Sequence, residues 1–254
     1  MEREIVWSYG GGVQTIAIMV LIWQGKLPKP AKTIMIDTGR ERSLTWDYTH
    51  EIAIPILKGL GIELEIVPHS YSNVDIYSHK GTLLIPAFTE GGKLPTFCSG
   101  EWKRNAAQRY LRDQGFGPDR PIIQWLGMSL DEITRMRTSD VKWIENHYPL
   151  VFDVRLRRHE CLLLIERAGL PKPPKSACWM CPNLDNEEWL EEKEQTPEDF
   201  KKAVEFEREI NEQDILSGHS GVWLHESRVP LNEVDFKTRQ SLPFEQICAS
   251  TCWT

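Results

Sequence analysis

A chain of 254 residues that is 41% hydrophobic and 26% charged has material for one large domain, or for a domain with an appendage. Its formal net charge of −7 excludes the broadly basic surface that non-specific nucleic-acid binding needs, and leaves room only for a local basic patch. The longest apolar run, Ile16 to Trp23, falls far short of the roughly 20 residues that cross a bilayer. Met1-Glu2-Arg3-Glu4 leads straight into a strand-like segment rather than a leader. The expectation is a cytoplasmic protein with no membrane partner.

In chain order, residues 4–8 read as a short buried strand, followed by Gly10-Gly11-Gly12. Val13 to Gln24 reads as a helix apolar on most sides, hence buried, ended by Gly25 with Pro28 and Pro30 beyond. A second strand, 32–36, ends at Asp37-Thr38-Gly39. A helix is predicted over 44–60, stopping at Gly59 and Gly61, then an alternating strand over 62–67. Residues 101–113 read as helix and 121–126 as a fourth strand. Strands alternating with helices predict an α/β fold: an open parallel sheet with helices on both faces. Ligands of such sheets bind beyond the carboxyl ends of the strands. Ser8 to Gly12, Asp37 to Gly39 and Gly127 to Glu132 all fall at such ends.

Past residue 150 the pattern changes. Arg158 to Ala168 reads as a helix, followed by Pro-rich 171–174 and the Cys178–Cys181 pair. Thr196 as cap and Pro197 at the first position start a helix running to about Glu212. The last 40 residues read as irregular, with some strand. The expected division is 1–150 as a nucleotide-binding domain and 151–254 as a smaller helical, cysteine-bearing region.

Glycines between a strand and a helix make a phosphate loop or a plain tight turn. Glycine allows positive φ and close approach of an anion to main-chain N–H groups, and the helix N-terminus adds partial positive charge. Thr15 has a hydroxyl to offer a phosphate. No Gly-Lys-Ser/Thr follows, so this is not a Walker loop, nor is it the Gly-x-Gly-x-x-Gly dinucleotide fingerprint. Lys103, Arg104, Arg135 and Arg137 flank these motifs and, as a set, suit sulfate or phosphate oxygens. Arg155, Arg157 and Arg158 add to the local basic patch. The seven histidines, His50, His69, His79, His147, His159, His219 and His225, show no metal spacing and receive no role.

Six cysteines in a cytosolic chain argue against structural disulfides. Cys178-x-x-Cys181-Pro182 with Cys98 and Cys161 gives four thiolates, which suit zinc or a 4Fe–4S cluster. Buried thiols acting as small hydrophobes are the third reading, and fit Cys161 best, on a helix among leucines. Cys248 and Cys252 form a C-x-x-x-C near the end. They read either as reactive thiols able to carry a persulfide or close a disulfide, or as incidental ones.

Ser8-Tyr9-Gly10-Gly11-Gly12-Val13-Gln14-Thr15 resembles the loop of the adenine-nucleotide alpha-hydrolase (PP-loop ATP pyrophosphatase) superfamily, whose usual form is S-G-G-x-D-S. The branch it resembles is the phosphoadenylyl-sulfate reductase-like one, of the phage and DNA-modification type. Asp37-Thr38-Gly39 matches that family's second motif. Cys98 to Lys103 resembles its C-x-x-x-x-K element, and Gly127 to Arg137 its acidic, arginine-bearing stretch. Tyr148-Pro149-Leu150, Cys161 and Lys172 to Pro182 follow in the family's order. The resemblance covers nearly the whole chain. It implies a nucleotide-binding sheet of the HUP type, with ATP or an adenylylated sulfate held by Ser8, Tyr9, Gly10, Gly11, Gly12, Gln14, Thr15, Asp37, Thr38, Gly39, Gly127, Arg135 and Arg137. It also implies Mg²⁺, a 4Fe–4S cluster on Cys98, Cys161, Cys178 and Cys181 (zinc being the alternative), and a catalytic part for Lys103, Cys248 and Cys252. Two departures stand out: Gly10 replaces the usual serine, and Gln14 the usual aspartate.

Three activities follow from the resemblance. One is ATP-dependent, adenylating sulfur transfer to nucleic acid, as a DNA phosphorothioate or a modified nucleobase, with DNA or RNA meeting the local basic patch and a cysteine desulfurase or other modification-system protein as partner. The second is thiol-dependent reduction of an adenylylated sulfate. The third is a non-catalytic nucleotide-binding module of a modification or defence complex.

Overall fold

The computed structural model describes residues 3–78, 80–216 and 221–237. The chain forms two compact units, Met1–Asn73 with Trp102–Ser176, and Val74–Glu101 with Ala177–Thr254. The elements run β1 (Glu4–Ser8), α1 (Val13–Trp23), β2 (Lys32–Ile36), α2 (Ser43–Tyr48), α3 (Ile54–Gly59), β3 (Leu64–Val67), β4 (Phe88–Thr89) and β5 (Gly92–Lys93). They continue with α4 (Asn105–Asp113), β6 (Ile122–Leu126), β7 (Ile144–His147), α5 (Pro149–Phe152), α6 (Arg158–Arg167), α7 (Asn186–Gln195) and α8 (Pro197–Leu216).

The first unit is an α/β fold built on a five-stranded sheet of order β3-β2-β1-β6-β7, with every pairing parallel. Alternation along the strands sends side chains to two cores. Trp7, Met35 and Trp125 face α1, α3 and α6, while Val6, Ile34, Ile122 and Ile144 face α4. Helices therefore cover both faces. Ten of the eleven residues of α1 are buried, as its continuous apolar run requires. The predicted 44–60 helix is α2 and α3 joined by a π turn, Thr49–Ala53. A second π turn, Ser99–Arg104, leads into α4.

The expected boundary at 150 falls inside the first unit. Leu150, Cys161 and Ile165, on α5 and α6, are buried in the same core as α1, so this segment completes the sheet's cover. The fifth strand, β7, went unread because its sequence, Ile-Glu-Asn-His, carries little apolar signal.

In the second unit, β4 and β5 form a short antiparallel hairpin, and Phe88 also makes an isolated bridge to Trp223. Helix α8 starts at Pro197 as predicted and runs beyond Glu212. Thr196 does not cap it through its hydroxyl, which donates back to the Glu192 carbonyl at 3.3 Å. Among the described residues after 220, the strand expected near the end is reduced to the Trp223 bridge, beside a 3₁₀ turn at Leu231–Glu233. Glu207 on α8 is buried and clamps this segment, accepting the N–H groups of Leu224 and Leu231 at 2.6 Å each.

Burial pushes the Glu207 pKa up from 4.5, against the two backbone hydrogen bonds that pull it down. A raised carboxyl pKa stabilises the fold fully below the unfolded value and loses that contribution as pH rises. The unfolding free energy of the native chain, minus that of Glu207→Gln, should therefore shrink as pH rises from 4.5. Chemical denaturation of both chains across pH reads this directly; a difference that grows with pH would refute the account.

Candidate functional site at the carboxyl edge of the parallel sheet

The strand order reverses between β1 and β6, so the loops that follow these two strands part around a crevice. The loop after β1 is held from below. Tyr9 N–H donates to the Ile34 carbonyl at 2.8 Å, and Ser8 Oγ accepts from Gln124 on β6 at 2.7 Å. Gly11 takes φ +74°, and a Cβ there would lie 2.5 Å from Thr45 Cγ2. Gly12 opens α1 with no side-chain cap, so the amides of the first helical turn gain no partner from the residue before them. Gly127, after β6, comes so close that a Cβ would lie 3.1 Å from Thr15 Oγ1 and 3.3 Å from Thr15 N. Glycine at 127 lets the loop after β6 lie against the first turn of α1, and glycine at 11 lets the loop after β1 lie against Thr45 of α2.

After β2, Asp37 Oδ1 accepts the Gly39 N–H at 2.7 Å, and buried Thr38 accepts the Arg40 N–H at 3.2 Å. Gly39 has φ +65°, and His69 lies where a Cβ would be, its Cε1 2.8 Å from that position. Ser72 Oγ donates to the Asp37 carbonyl and contacts His69 Nδ1 at 3.2 Å. The Arg40 guanidinium lies 4.3 Å over the Trp102 ring.

The predicted loop residues take different parts. Gly10, Gly11, Gly12 and Thr15 line the turn, with the Gly10 N–H reaching Thr15 Oγ1 at 3.4 Å. Tyr9 instead turns into the core: its ring is buried, packs edge-on against Trp7, and its hydroxyl meets Thr49 Oγ1 at 3.2 Å. Burial pushes its pKa well above the ordinary phenol value. Gln14 is buried and joined to the loop after β6, donating to Glu132 Oε2 at 2.7 Å and to Ser129 Oγ at 3.3 Å. Arg135 pairs with the other Glu132 oxygen. The Arg137 main chain is gripped by the Tyr148 hydroxyl, which accepts its N–H at 2.9 Å and donates to its carbonyl at 2.8 Å.

Lys103 pairs with Glu41 at 3.0 Å. Glu41 is buried and also accepts from Ser176 Oγ at 3.0 Å. The sequence reading missed Glu41 and His69, whose partners are set by tertiary approach and carry no local signal.

Cys161 lies on α6 in the first unit, fully buried in the aliphatic core, whereas Cys98, Cys178 and Cys181 belong to the second unit. Burial, then the nearby Asp131 and Glu160 carboxylates, push the Cys161 thiol up to about 12; it is a packing residue. Among the described residues no group of three or more His, Cys, Asp or Glu stands ready to hold a metal. Nor does α1 carry a carboxylate for Mg²⁺, since Gln14 stands where the resembling family has aspartate. Cys248 and Cys252 lie outside the described residues. Among the described residues no helix is long and apolar enough to cross a membrane.

No protein-family model matches the chain. No curated protein matches its sequence. By structure it is similar to the U34-tRNA thiolase NcsA from Methanococcus maripaludis with its 4Fe–4S cluster, at 17% identity and a TM-score of 0.43, covering 82% of this chain and 71% of that one.

Gly11→Ala should cost about 2–4 kcal/mol, from left-handed backbone strain plus the Thr45 overlap. The expected outcome is a lower melting temperature. Gly25→Ala serves as comparison: it carries the same strain at φ +70° but meets nothing within 4 Å, and should lose distinctly less.

Proposed function

We propose that the first unit binds ATP at the carboxyl edge of its sheet and activates an acceptor by adenylation for sulfur transfer, in the manner of the PP-loop proteins its motifs resemble. The observation that carries the reading is the uncapped start of α1 behind a glycine turn at the reversal of strand order. The triphosphate would lie on Gly10 to Gly12, with the Thr15 hydroxyl at the same turn. The nucleoside would lie towards Asp37 to Gly39, where His69 and Ser72 brace the turn. An acceptor oxygen attacking the α-phosphorus would expel pyrophosphate and leave an adenylated intermediate, from which a sulfur nucleophile displaces AMP. Nucleic acid, meeting the arginines around 135–158, is the acceptor class we favour.

A second reading, a nucleotide-binding module without turnover, is favoured by one observation. The residue at the place of the family's aspartate is tied into hydrogen bonds with Glu132 and Arg158. Anaerobically prepared full chain, given ATP, a sulfide source and nucleic acid, should release pyrophosphate. Tight ATP binding without pyrophosphate would select the second reading, and absence of both would end the nucleotide assignment.

A further inference from the structure

Phe152, the last residue of α5, is 58% exposed, the most exposed large apolar side chain among the described residues. It follows the edge strand β7, at the same carboxyl edge of the sheet as the loops after β1 and β6. Its ring is braced from one side. Tyr148 packs against it edge-on at 6.4 Å, and His147 lies against it at 5.8 Å with the rings tilted by 35°. His147 is fixed in turn by Trp125 on β6, at 6.5 Å, and by Asp153, whose Oδ2 meets its Nε2 at 2.8 Å. Three residues on, the exposed Arg155 takes φ +56°, a left-handed backbone that disfavours any residue with a Cβ. Val154 N–H donates to the Pro149 carbonyl at 3.2 Å, and Leu156 N–H to the Leu150 carbonyl at 2.8 Å, which hold that turn against α5. Arg137, also exposed, comes from the loop after β6: the Tyr148 hydroxyl that grips its main chain belongs to the ring packed on Phe152. The other arginines nearby have acids against them. Glu132 pairs with Arg135, and Asp131 and Glu160 accept the main-chain N–H groups of Arg158 and Arg157. Among the described residues no carboxylate pairs with the Arg137 or Arg155 side chain. A braced aromatic ring flanked by such cations suits a stacked base and its phosphates.

We propose that Phe152 stacks on an unpaired base of a single-stranded nucleic acid whose phosphates meet Arg155 and Arg137. The assignment rests on the nucleic-acid acceptor favoured above and deepens it: the surface takes a strand with free base faces rather than a duplex. It also gives a reason for an arginine at a left-handed position that glycine would occupy without strain.

The test titrates the full chain into labelled oligothymidylate or oligouridylate, read by fluorescence anisotropy over a range of salt, beside thermal unfolding of each variant. The native chain should bind at least one of these single strands. Phe152→Ala should weaken that binding about tenfold or more. Phe152→Trp should keep it, and Phe152→Leu, apolar without a π face, should not. Arg155→Gly should weaken binding and lower its salt slope by about one, yet raise the melting temperature, because glycine relaxes the left-handed turn. Opposite signs in affinity and stability are what a merely structural residue would not give. Affinity indifferent to Phe152→Ala overturns the proposal. So does equal dependence on the ring when the probe is the duplex of oligothymidylate with oligoadenylate. A native dimer that Phe152→Ala returns to monomers, with no oligonucleotide bound, assigns the ring to a second copy of the chain and also overturns it. Pyrophosphate release by a chain whose oligonucleotide binding ignores Phe152 overturns this assignment and leaves the proposed function standing. A native chain that binds neither ATP nor oligonucleotide overturns both.

Discussion

The whole of the candidate site depends on how closely three main-chain segments approach one another at the centre of the sheet. The turn after β6 comes against the first turn of α1 at Gly127, and the turn after β1 comes against Thr45 of α2 at Gly11. No side chain fits there, so the backbone itself is left as the lining. Peptide N–H groups in that position are fixed donors that need no rearrangement to meet an anion. Around this frame Asp131 accepts the main-chain N–H of Arg158, and Glu132 is paired with Arg135.

Much of this was legible in the order of residues. The strands 4–8, 32–36 and 122–126 and the helix from Val13 stood out because apolar runs of the right length were cut off by Gly, Pro or Asp. Parallel pairing followed from the alternation of those elements. The turn at Asp37 to Gly39 was visible because a turn needing positive φ selects glycine. What failed was of two kinds. β7 and α5 are short, and one of them is polar, so burial came from their neighbours rather than from their own pattern. The partners of Gln14, Lys103 and Glu41 lie 62 to 144 residues away along the chain, and no local rule brings them together.

Cys161 shows how a motif reading and a packing reading compete for one residue. Its place in the family's order made it a ligand. Its place on an apolar helical face, one turn before Ile165 and against α1, made it core. In the folded chain Cys161 is buried in that core, and the thiol's resistance to ionisation follows from the same surroundings. In the acidic run 187–214, Glu192, Asp199 and Glu207 are buried. For Glu207 the cause is plain: its carboxylate supplies the acceptors that two turns of irregular chain lack.

The interleaving of the two units has a consequence for synthesis. The chain passes from one unit to the other at 73/74, 101/102 and 176/177. β1, the central strand, is made first but lacks its neighbour β6 until residue 126 has emerged from the ribosome. The segment 74–101 waits longer still, for a companion that begins at Ala177. A nascent chain that ends at residue 150 thus holds neither unit complete, since the first closes only at Ser176.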